Sequence, residues 1–141
     1  MNIDQAIALV KTTAARMNEL YKKTVFDEWA VVALIPGKIV LLGYIGPRKE
    51  GFQKSFLDDT KELRAQFRAN TYNVGDFEFA RHGHGTNAEA FVMIGDDLYL
   101  VCNNTDLSMT DIAADPLWLS AQGPFMEMSE RFRSEPLVHP N

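Results

Sequence analysis

DFEFARHGHGTNAEAFVMIGDDLYLVCNN, residues 76–104, is the stretch whose reading decides the fold. Phe77 and Phe79 alternate with Asp76 and Glu78, the period of two that a half-buried strand requires. Ala88 to Ile94 and Leu98 to Cys102 are apolar on both faces. The stretch therefore reads as three strands in a row, a β-meander making half of one sheet. Its first turn is the glycine-rich His82-Gly83-His84-Gly85-Thr86. Its second is Gly95-Asp96-Asp97, with Gly95 at the first central position of a type II′ turn.

Upstream, residues 28–45 read as a hairpin. Trp29, Val31, Ala33 and Ile35 share one face of the first strand, and Ala30, Val32 and Leu34 the other. Pro36-Gly37 makes the turn, because Pro presets one dihedral and Gly accepts a positive φ at the next. Strands apolar on both faces must be covered on both faces. Trp29 is accordingly expected in the core.

Helices flank these strands. Ile3, Ile7, Val10, Ala14, Met17 and Tyr21 recur at three- and four-residue spacing, which predicts a helix over 3–23. Asn2 and Gln5 stand in capping-box position. Gly46-Pro47 is expected to open a second helix running to about Arg68, with Phe52, Phe56, Leu63 and Phe67 as its stripe. The tail reads as interrupted helix: a capping box at Ser108 and Asp111, a piece opened by Pro116, a break at Gly123-Pro124, and a third piece over 125–133. Residues 134–141 read as a loose end.

These elements predict one domain over 1–141 and an α+β fold. The expected architecture is a five-stranded antiparallel sheet with helices on both faces, in the order α-ββ-α-βββ-α. A chain of 141 residues is long enough to bury its own core. Its net charge of −5 argues against nucleic acid or an anionic membrane as the main partner. No apolar run is long enough to span a membrane. The single cysteine, Cys102, reads as a small buried hydrophobe and allows no internal disulfide. With no signal peptide in view, a cytoplasmic location is expected.

The sequence discloses no chemical activity. Its one concentration of reactive side chains is Arg81-His82-Gly83-His84-Gly85. Arg-His-Gly resembles the phosphohistidine triplet of histidine phosphatases, but that triplet follows the first strand of its fold and here it lies mid-chain. His82 and His84 are candidates for a metal pair, and a zinc site needs a third and fourth ligand beyond them. The reading adopted is a turn with solvated histidines and no metal or cofactor. Asp58-Asp59 and Asp96-Asp97 are neighbours in sequence only. No phosphate-binding loop, nucleophile elbow or Cys-x-x-Cys motif is present.

The element order over about residues 3–120 resembles the roadblock family, whose fold is a profilin-like layered one. That resemblance implies a small non-enzymatic homodimer that regulates small GTPases, serves a motor or scaffolds signalling complexes. It implies a subunit interface on the second helix and the neighbouring edge strand, which would use Phe52, Phe56, Phe77 and Phe79. Two other readings compete. One is an acidic secretion-chaperone-like binder, whose usual order has three strands before the middle helix. The other is a metal-dependent enzyme using His82 and His84.

Overall fold

The computed structural model describes residues 1–56, 71–72, 88–107 and 109–139. The chain opens with helix α1, Ile3–Tyr21, capped by the reciprocal Asn2 and Gln5 bonds that the sequence predicts. Its buried face is Ala6, Val10, Thr13, Met17 and Tyr21. Ile3, Ile7 and Ala14 of the expected stripe are instead partly buried at its rim. Lys22 ends the helix in a left-handed conformation, φ 65°, its N–H donating to the Asn18 carbonyl at 2.8 Å.

Strands β1 (Glu28–Ile35) and β2 (Lys38–Ile45) form the expected hairpin, and Gly37 takes φ 80° in its turn. A bulge at Leu42 shifts the register, so that Val32 faces Leu41 while Val31 faces Gly43. Helix α2 follows at Lys49–Phe56, two residues later than Pro47 was expected to start it. The Phe52 N–H closes the first turn on the Arg48 carbonyl at 2.9 Å. The expected continuation to Arg68 lies outside the described residues.

Next come β3 (Thr71–Tyr72), β4 (Ala88–Gly95) and β5 (Leu98–Asn104). Sheet order is β2-β1-β5-β4-β3. This corrects the expectation of five antiparallel strands in the order α-ββ-α-βββ-α. Among the described residues four long strands run antiparallel, and the fifth place is taken by two residues pairing parallel to β4 at Phe91 and Val92. A parallel pair needs a crossover of about a dozen residues or more, and the chain between Tyr72 and Ala88 has that length. Thr71 and Tyr72 read in sequence as a polar connection, too short to carry a strand signal. The meander strand expected at Phe77 and Phe79 lies outside the described residues.

The β4–β5 turn also differs from expectation. Gly95 remains in the strand opposite Leu98, and Asp97 takes the positive φ, 53°. Asp is one of the few residues with a side chain that visits this region readily.

Helices α3 (Met109–Ala114) and α4 (Trp118–Ser134) complete the described chain. The expected break at Gly123-Pro124 does not occur, and α4 runs through Pro124. An interior proline removes one helical hydrogen bond and costs about 3 kcal/mol. Here it lies on the buried side with Trp118, Ala121, Phe125, Met128 and Phe132, and that apolar burial offsets the loss. The stretch after α4 is not loose either. Leu137 is buried, its N–H bonds the Ile94 carbonyl at 2.7 Å, and the Val138 N–H bonds the Met1 carbonyl at 3.1 Å. The Met1 ammonium donates to the Pro136 carbonyl at 2.7 Å.

The core has two parts. On one sheet face, Trp29, Val31, Ala33, Val92, Leu100 and Cys102 pack with the buried residues of α1 and α4. On the other, Ala30, Val32, Leu34, Phe91, Tyr99 and Val101 pack with Phe52 of α2.

Candidate functional site

The strand alternation sends Glu28 to the same face as Ala30 and Val32, at the open end of β1. It is fully buried, 0 % exposed. A carboxylate taken out of water is costly unless it is paired and hydrogen-bonded. One oxygen accepts from Arg48 Nη2 at 2.8 Å and from Asn103 Nδ2 at 2.9 Å. The other accepts the Tyr44 hydroxyl proton. The Tyr44 oxygen in turn accepts the Arg48 N–H at 3.2 Å. Four elements thus meet here: β1 and β5 are direct neighbours, β2 brings Tyr44, and the turn into α2 brings Arg48.

Burial pushes the Tyr44 hydroxyl up to about 12, the Glu28 hydrogen bond adding to the shift and Arg48 opposing it. The Arg48 side chain remains 44 % exposed while that of Glu28 is 1 % exposed. Asn103 Oδ1 is buried without a hydrogen-bond partner. Gly46 makes the corner possible: it holds φ 157°, and a Cβ there would lie 2.7 Å from the Tyr44 hydroxyl oxygen.

The same end of the sheet carries a second polar knot. Asp27 accepts from the Thr105 N–H at 3.3 Å, and the Thr105 hydroxyl donates to its other oxygen. Asn104 Nδ2 donates to the Thr24 carbonyl at 3.2 Å and to that of Val25 at 2.6 Å. Apart from Asn103 Oδ1, the hydrogen bonds named in both clusters serve to join elements. Their chemistry is that of positioning.

Of the residues singled out in the sequence, Phe52 is buried within its own chain, its ring 5.5 Å from that of Tyr44. Phe56 ends α2, and its side chain is not described. Phe77, Phe79, His82 and His84 lie outside the described residues. Cys102 is buried, and burial raises its thiol well above the usual range. Among the described residues no group of three or more His, Cys, Asp or Glu could hold a metal. Nor is any described helix long and apolar enough to cross a membrane.

The sequence reading missed Glu28, Tyr44, Arg48 and Asn103. The partners of Glu28 lie 16 to 75 residues from it along the chain. The signal that could have marked Glu28 is a charge adjoining an otherwise apolar two-faced strand.

Comparison of the chain with protein-family models, with curated proteins and with solved structures returns no match.

Proposed function

We propose that the chain is a non-enzymatic regulatory or scaffolding domain of roadblock-like kind, acting in the cytoplasm through homodimerisation and protein–protein contacts. The observation that carries this reading is the edge strand β2. Among the described residues it lies at the end of the sheet, with β1 as its strand partner. Its eight residues, KIVLLGYI, hold one charge and no proline. Val40 to Ile45 are half-buried.

Native edge strands are commonly blunted by charges, prolines or bulges. Here the bulge at Leu42 leaves Ile39–Leu41 as a regular apolar stretch of the edge, a template for strand addition by another chain. With Phe52 buried in its own chain, the contact is drawn along β2. Two strands precede Pro47, where the secretion-chaperone pattern has three.

A stable dimer of this kind would bury on the order of 1,200–2,000 Å² in total. Light scattering on the purified chain at micromolar concentration tests the reading. The expected mass is twice the 15.9 kDa of one chain. A single-chain mass across the concentration range would overturn it.

A further inference from the structure

The first half of α2 has little to hold it on the sheet by apolar burial. From Gly46 to Gln53 every residue is exposed except Phe52. Gly51 lies inside the helix, where glycine weakens it. Besides the buried Phe52, polar contacts tie this segment to the sheet. Glu28 grips the Arg48 guanidinium directly, and holds the Arg48 backbone N–H through the Tyr44 hydroxyl. Tyr44 therefore serves two elements, since its ring packs against Phe52 and its oxygen joins the carboxylate to the turn.

The closed cluster is not fully satisfied. Asn103 donates one amide N–H to Glu28 and leaves Oδ1 buried and unpaired. A buried network with one orphaned acceptor gives up less on opening than a complete one.

We propose that Glu28, Tyr44 and Arg48 form a latch, and that opening it frees the first turns of α2 from the sheet as a unit while β1, β2, β4 and β5 stay folded. The latch decides whether Phe52 is in the core or in solvent. Local opening of this kind is ordinary for segments with few buried apolar contacts, and it proceeds below the free energy of global unfolding. The sheet does not need the latch for its own integrity, because its long strands are buried against α1 and α4 on the opposite face.

Hydrogen exchange read by mass spectrometry on the full chain, at dilutions where it is a single-chain species, tests this independently of dimerisation. In Glu28→Gln the amides from Phe52 to Phe56 should exchange about ten- to a hundredfold faster than in the wild type, the factor carried by a lost hydrogen bond to a charged group. The amides of Leu98–Asn104 should keep their wild-type protection. Equal acceleration in both segments, or none in α2, would overturn the latch. Should Glu28→Gln fail to fold, Tyr44→Phe decides the matter: it keeps the ring on Phe52, removes the hydroxyl, and should give the same selective acceleration. Its absence there would equally overturn the proposal.

Discussion

Gly95 packs its bare Cα against the carbonyl group of Leu137. The N–H of Leu137 bonds the Ile94 carbonyl at 2.7 Å, so the chain after α4 is laid against β4 as an extended strap. A Cβ at position 95 would collide with the Leu137 carbonyl oxygen and lie 2.9 Å from Leu98 Cδ1. The first of these is backbone and cannot rotate away.

Gly95→Ala should therefore lower stability by about 1–3 kcal/mol, as overpacking does. Faster amide exchange at Leu137 and Val138 should accompany the loss. A variant with wild-type melting temperature and an unchanged Leu137 amide would show that the strap is not held here.

Trp29 is 3 % exposed and sits where three elements meet. Its ring lies 5.4 Å from that of Phe26, edge to face, and 6.2 Å from that of Phe125 on α4. Its Nε1 donates to the Phe26 carbonyl at 3.2 Å. Trp29→Ala should cost about 3–5 kcal/mol through the cavity it leaves. Chemical denaturation with tryptophan-independent circular dichroism measures this, and a cost below about 1 kcal/mol would place the ring outside the core.

What was legible in the sequence was local. Asn2 and Gln5 announce a helix start because both capping bonds close within four residues. Pro36-Gly37 announces a hairpin because the dihedral demands fall on adjacent residues. Trp29 reads as core because its same-face neighbours are two residues away. Long-range contacts overruled local signals elsewhere. Pro124 should break a helix, yet the buried face around Phe125 and Met128 carries α4 through it. Gly95 looks like a turn residue, but its role is to admit Leu137. The Glu28 cluster was illegible because no local pattern ties Glu28 to Asn103, whose places become adjacent only when β1 pairs with β5.

Tyr44 gives a pH prediction. Burial and the Glu28 carboxylate raise its hydroxyl from 10.0 to about 12 in the folded chain. The folded state therefore holds this proton more tightly than the unfolded state does. Stability from the shift is present in full below pH 10.0 and is lost as pH rises through about 12. Tyr44→Phe should flatten that part of the curve of stability against pH. Difference titration of phenolate absorbance between wild type and Tyr44→Phe should locate the ionisation well above that of a free phenol. Ionisation at the ordinary phenol value would show that the hydroxyl is neither buried nor held by Glu28.

The edge of β2 offers the sharpest test of the proposed dimer. Val40 is half-buried, faces Ala33 across the β1 ladder, and has two exposed or half-buried neighbours in Lys38 and Leu42 on the same side. A charge placed on an edge strand is a common means by which native sheets refuse another chain. Within the monomer a lysine here can run its stem along the sheet and keep its ammonium in water. Val40→Lys should then leave the circular dichroism spectrum unchanged and cost no more than about 1 kcal/mol of single-chain stability. The same substitution should shift the light-scattering mass from twice 15.9 kDa to that of one chain. The two readouts separate the causes. A folded Val40→Lys that still dimerises would move the interface away from β2. One that unfolds would show that Val40 belongs to the core and not to a free edge, and β2 would then have to be read as part of the monomer's own packing.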